Sequence, residues 1–160
     1  VRLTALSLFT EDEMTHGELC VRAGRWLKGT KRCNPVYTER NPFTVRESPD
    51  AIGWTAHESF LVECKVSESD FRADARKPFR RFPYLGMGQH RYYMCPPGII
   101  LEEELPERWG LLYVYPARVK VVRFAERWPA SKTAMQSERN FLRAQIANEH
   151  AGFAGGGRLP

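Results

Sequence analysis

The chain has 160 residues, 42% hydrophobic and 27% charged, with a formal net charge of +5 and a pI near 9.2. That length and balance predict one globular domain with a real core and leave no room for a second, while the modest positive excess favours a polyanionic partner. Cys20, Cys33, Cys64 and Cys95 are widely spaced, without a C-x-x-C pair or paired histidines, which excludes a zinc knuckle and a disulfide scaffold and fits free thiols in a reducing cytoplasm.

Residues 1–12 are read as an N-terminal extension, and residues 13–150 as the domain. The apolar letters of "LTALSLF" are too few for a spanning helix and lack a cleavage-type context. The expectation is therefore a cytoplasmic protein with no membrane partner. In "MTHGELCVRAGRWLKGT", Leu19, Ala23, Trp26 and Leu27 recur at helical spacing. Thr15 and Glu18 make a T-x-x-E capping box, and Gly29 offers a stop.

"VYTE" reads as a short strand and is followed by a loop around Asn41-Pro42. A strand over Ala51 to Trp54 comes next, then the strongest strand, "ESFLVECKV". "SESDFRADARKPF" carries the helix-cap residues Ser67 and Ser69 and meets Pro78, which should stop or kink a helix. "HRYYMC" returns as a strand, "LEEELPERW" holds one helical turn, and "WGLLYVY" with "VKVVRF" forms a hairpin around Pro116. Residues 131–150 form a polar terminal helix, and 151–160 a flexible Gly-rich tail. The order helix, strands, helix, strand, hairpin, helix predicts an α/β sandwich with a mixed central sheet.

Strand alternation puts Phe60, Val62, Cys64 and Val66 on one face and Leu61, Glu63 and Lys65 on the other. The second face begins apolar and ends charged, the pattern of a central strand covered on both sides with a site at its carboxyl end. If residues 55–58 form the hairpin loop, Trp54 pairs with Ser59, Ile52 with Leu61, and Asp50 lies opposite Glu63. Directly opposed Cβ atoms stand roughly 4.5–5.5 Å apart. Two carboxylates at that separation repel by roughly 3 kcal/mol at an effective dielectric near 20, so a cation must compensate. Lys65 does so in part, a divalent ion more fully.

Pro49-Asp50 followed by Glu63-Cys64-Lys65 resembles the signature of the PD-(D/E)XK nuclease superfamily. "KVSESDFRADARKPFRR" and "GMGQHRYYMCPPGII" further resemble small stand-alone phage and bacterial members near the MmcB-like DNA-repair endonucleases, over about residues 15–115. The resemblance implies a restriction-endonuclease-like α/β/α sandwich and Mg²⁺- or Mn²⁺-dependent DNA hydrolysis. It also implies that Asp50, Glu63 and the backbone carbonyl of Cys64 hold the ion, and that Lys65 orients the water or stabilises the transition state. The Cys64 side chain faces the core by alternation.

Glu18 is a further ligand candidate, since members often bring an acidic residue from the first helix; the plain alternative is its capping box and a pair with Arg22. Arg72, Arg76, Lys77, Arg80 and Arg81 follow the site within ten residues and are expected to hold the DNA backbone. Asp70 and Asp74 are read as helix N-terminal charges or intrahelical partners for arginine. Glu68 stands where a basic residue is expected, which counts against substrate contacts there. One face of "HRYYMC" should reach the site. Gln89, His90 and Arg91 are candidates for DNA contact, with His90 rejected as a general base.

The commitment is a metal-dependent DNA nuclease without a covalent enzyme intermediate. A double-strand break would need a dimer or two encounters, and residues 111–124 and the last helix are the surfaces expected for self-association. The rivals are a silent nuclease-like binding module, an RNA-directed nuclease or toxin, and a solvated ion cluster at a sheet edge.

Overall fold

The computed structural model describes residues 14–38 and 47–154. The expected extension at 1–12, the loop at Asn41-Pro42 and the end of the Gly-rich tail lie outside these residues. Helix α1 spans His16–Gly29, with strands β1 at Val36–Thr38, β2 at Ala51–Trp54 and β3 at Ser59–Cys64. Helices α2 (Glu68–Asp74) and α3 (Pro78–Arg81) lead to β4 at His90–Cys95. Strands β5 (Gly110–Tyr115) and β6 (Arg118–Arg123) form the expected hairpin, and α4 runs Lys132–Ala154, four residues into the segment read as tail.

The strands form one sheet in the order β1-β2-β3-β4-β5-β6. Pairs β1/β2, β2/β3 and β5/β6 are antiparallel, whereas β3/β4 and β4/β5 are parallel, so the sheet is mixed. On one face α1 buries Leu19, Cys20, Ala23, Trp26 and Leu27 against Phe60, Val62, Cys64, Tyr92 and Met94. On the other, Ile52, Leu61, Tyr93 and Leu111 meet Phe141 of α4 and Phe71 of α2. The result is an α/β sandwich. Each fully buried Leu or Phe contributes about 1.5–3 kcal/mol, which explains why β3, apolar on both sides for most of its length, lies inside the sheet.

Local chemistry accounts for the element ends. Thr15 caps α1: its hydroxyl accepts from the Glu18 amide at 3.2 Å, and its own amide donates to the Glu18 carboxylate at 2.7 Å. Replacing Thr15 by alanine removes both the cap acceptor and the reciprocal geometry, and is expected to cost about 1 kcal/mol in urea unfolding. Pro78 does not kink a running helix. The chain leaves α2 after Asp74 and starts α3 with Pro78 at a first-turn position, where the missing N–H costs nothing. This break has a large effect on the site, because it turns the following basic residues through a new angle.

Candidate active site

The β2/β3 register is Trp54↔Ser59, Ile52↔Leu61 and Ala51↔Val62, and one step further brings Asp50 level with Glu63. Asp50 follows the ladder with its side chain instead of its backbone. Its Oδ2 accepts the Cys64 amide at 2.8 Å, in line with the sheet, and its Oδ1 lies 3.3 Å from His16 Nε2 of α1. Glu63 points to the opposite helical layer and is 1% exposed. The two carboxylates therefore flank the end of β3, with Asp50 hooked round the strand end toward α1 and Glu63 turned toward α3. Cys64 packs its sulfur among the core residues beneath α1.

Glu63 is ringed by cations. Arg80 Nη2 stands 3.1 Å from its Oε1, while Lys65 Nζ at 3.6 Å and Lys77 Nζ at 3.8 Å approach Oε2. Even so, Oε1 is buried without a hydrogen bond. Burial pushes the carboxyl up to about 7; Arg80 and Lys65 pull it down, and the charges of Asp50 and Asp74 push it further up.

Beneath it lies Asp74, whose side chain is fully buried. It accepts from Tyr93 Oη, Arg80 Nε and Lys77 Nζ, each at 2.7 Å, and from Lys65 Nζ at 3.3 Å. Burial alone would raise this carboxyl, but Arg80, Lys65, Lys77 and Tyr93 together outweigh it and hold it well below the usual range. The reading of Asp74 as a simple helix charge is thus corrected: it is the centre of a buried ion network spanning β3, β4, α2 and α3. Asp70 keeps the helix N-terminal role in part, half-exposed, with Oδ1 3.9 Å from Lys65 Nζ.

Arg80 is also corrected. Its side chain is 3% exposed, held between the rings of Phe79 and Trp109, and it bridges Glu63, Asp74 and Glu47, the last at 2.8 Å. A guanidinium committed to three carboxylates cannot reach a phosphate. Its pKa lies above the ordinary arginine value: burial opposes the charge, but Glu63, Glu47 and Asp74 more than compensate. Lys77 divides itself between Asp74 and the surface, and Arg72 is exposed but paired with Glu68 and with Glu104. Of the expected phosphate-binding run, Arg76 and Arg81 stand exposed on the outer surface, Arg81 over the ring of Phe82.

Glu18 does not approach Asp50. It lies two residues beyond His16, about 200° round the helix, with its carboxylate closing the cap of Thr15. Nor does it pair with Arg22, which donates to the carbonyls of Tyr115 and Pro116 at 2.9 and 3.1 Å. The residue that α1 brings to Asp50 is His16. Tyr93 and Glu47 are further site residues that sequence reasoning passed over. Tyr93 lies on the odd face of "HRYYMC", so alternation from Glu63, its β3 partner, carries the signal. Glu47 carries none, since its contact with Arg80 depends on how the chain enters β2.

Gln89, His90 and Arg91 belong to the other end of the strands. Gln89 Oε1 accepts the Ser59 amide at 3.3 Å, and His90 stacks on Phe60 and meets Glu58 at 3.0 Å. Arg91 is 2% exposed and donates to the carbonyls of Gly88, Pro83 and Gly86. Burial lowers its pKa to about 10. The expected nucleic-acid contacts at Arg91 and Gln89 are corrected accordingly: both side chains are used in fixing the β3–β4 entry. They line a cavity of about 670 Å³ with Trp54, Tyr84, Trp128 and Glu138, a full strand length away from Glu63.

No family model and no curated protein matches this chain. A solved structure does: the SPO1766 protein of unknown function from Silicibacter pomeroyi, at 21% identity and a TM-score of 0.63 over 92% of this chain and 98% of that one. That likeness establishes the fold. No described helix is long and apolar enough to cross a membrane.

Proposed function

We propose that the protein is a metal-dependent nuclease that hydrolyses phosphodiester bonds in DNA, built on a restriction-endonuclease-like domain. The observation that carries this is a charge imbalance at the end of β3. Five carboxylates, Glu47, Asp50, Glu63, Asp70 and Asp74, gather about the end of β3 with three cations, Lys65, Lys77 and Arg80, while Asp50 turns to His16. A divalent ion would add positive charge where these carboxylates outnumber the cations.

The donor types suit such an ion. Glu63 Oε1 is a buried acceptor without a hydrogen bond, 3.1 Å from Arg80 Nη2, and carboxylate with carbonyl oxygen is the set that magnesium and manganese take. Glu63 and the Cys64 carbonyl would hold it, joined by Asp50 once that carboxylate turns from His16 and the Cys64 amide across the end of β3. Bound there, the ion supplies Lewis-acid polarisation of the phosphate and a more acidic water. The chain's own residues do the rest. Lys65, buried at the end of β3, would bring its ammonium from within the site toward the phosphate, where negative charge grows. Asp74 and Asp70 fix its ammonium, and Arg80 with Tyr93 fixes Asp74. No side chain here is placed as a covalent nucleophile, so the reading needs no enzyme-bound intermediate. Arg76 and Arg81 on the outer surface of this layer are the remaining phosphate-backbone candidates. β6 is an edge of the sheet with Phe124 exposed just beyond it, and is the surface through which two copies would pair for a double-strand break.

A pH profile tests the role of Glu63. A protonated Glu63 cannot ligate, so at subsaturating Mg²⁺, where protons and the ion compete for this raised carboxyl, cleavage should rise with pH. The same group works against stability in the other direction. Between about 4.5, its ordinary value, and about 7, the folded chain holds a proton that the unfolded chain has released. In EDTA, stability from this group should fall by about 3 kcal/mol as pH rises through that window, read as the urea midpoint. A flat cleavage profile from pH 5 to 8 would remove Glu63 from the metal.

The exposed Arg76 and Arg81 suit one rival as well, a binding module that grips a strand without cutting it. Incubation with linear, nicked, single-stranded and branched DNA and with RNA, in Mg²⁺, Mn²⁺ or EDTA, separates the readings. Metal-dependent cleavage of DNA supports the proposal. Retention without cleavage supports the module, and cleavage of RNA alone an RNA-directed enzyme.

A further inference from the structure

The α1 side of Asp50 holds a second donor set, of different chemistry. His16 and Cys20 are four residues apart on α1 and so share one face of the helix. That face meets the start of β2, where Asp50 Oδ1 lies 3.3 Å from His16 Nε2. Cys20 Sγ is 3.7 Å from Nδ1 and 4.0 Å from Nε2 of the same ring. The imidazole nitrogen, the sulfur and the carboxylate oxygen all lie within 4.8 Å of one another. A tetrahedral ion with bonds of about 2.0–2.3 Å spaces its donors roughly 3.3–3.8 Å apart, close to the spacing of these donors once the imidazole turns its nitrogen toward the sulfur.

We infer that His16, Cys20 and Asp50 form a binding site for a soft divalent ion of the zinc class. Nitrogen, sulfur and oxygen donors together select Zn²⁺ or Co²⁺ over magnesium, which takes oxygen alone. Cys20 is fully buried, whereas the His16 and Asp50 side chains are 43% and 19% exposed. The ion therefore sits with sulfur inward and a fourth position open to solvent, the three-ligand form rather than a closed structural knot. Cys64, packed in the core beside Cys20, is not one of the converging donors. On binding, the Cys20 thiol gives its proton to solvent and the sulfur lone pair to the ion. The ion then ties the first turn of α1 to the start of β2, adding to the His16–Asp50 contact.

The site shares Asp50 with the proposed oxygen site but needs neither Glu63 nor Lys65, so the two stand or fall separately. Reduced, EDTA-treated protein is titrated with Co²⁺ and followed by absorbance. The expected result is one ion per chain, with a sulfur-to-cobalt charge-transfer band that Zn²⁺ abolishes by displacement and a thermal midpoint that rises with Zn²⁺. Cys20→Ser should remove the band, and His16→Ala, at a part-exposed position, should weaken Co²⁺ binding by about 100-fold. Cys33→Ser and Glu63→Gln should leave the spectrum intact. Co²⁺ binding without a thiolate band, or with a band indifferent to His16→Ala, would overturn the assignment.

Discussion

Replacing Lys65 by alanine is expected to lower the rate of Mg²⁺-dependent DNA cleavage by about 100- to 1000-fold, the usual cost of removing one preorganised charge from a developing anion. The protein should stay folded, because Asp74 retains Arg80, Tyr93 and Lys77 after the loss of Lys65. Single-turnover cleavage of a linear duplex, with a melting curve of the same preparation, reads both effects. Glu63→Gln should match this loss, since a neutral amide at the buried end of β3 contributes no charge to an ion. It should also flatten the pH profile below 7, which Lys65→Ala should not. An unchanged rate in Lys65→Ala removes the lysine from the chemistry and leaves the binding module as the better reading.

The largest effect on stability is expected at Arg80. Truncation to alanine leaves Glu63, Asp74 and Glu47 without their shared guanidinium in a place water scarcely enters, and uncompensated buried charge costs about 3–5 kcal/mol. Urea unfolding of Arg80→Ala should show this as a large drop in midpoint. A surface arginine that only touched phosphate would leave the midpoint unchanged and alter the salt dependence of DNA binding instead. Arg76→Ala and Arg81→Ala should behave in that second way. Stability owed to Asp74 has its own pH signature. Its carboxyl is held below the ordinary value of 3.8, so the contribution is complete above that pH and is lost only as the solution is acidified through the lowered value.

These variants separate what a basic residue does from where it stands in the sequence. Arg76, Lys77, Arg80 and Arg81 look alike as letters between Asp74 and Phe82. In the fold, the restart of the helix at Pro78 sends Arg80 into the core and leaves Arg81 outside. A stretch broken into two short helices has no single period, so counting positions along it could not distinguish the two.

The elements themselves were written in local chemistry. The Thr15–Glu18 cap, the alternation of β3, the hairpin register through residues 55–58 and the two terminal strands all depend on residues within a few positions of one another. Hence the sequence alone determined the mixed sheet, its two hairpins, and Asp50 level with Glu63 at one end of β3. Where each carboxylate turns, which lysine or arginine answers it, and that α1 offers His16 rather than Glu18 were decided only by tertiary packing. Charges many residues apart are brought together by the sheet and by helix angles, and the burial that gives those contacts their strength exists only once the layers have closed.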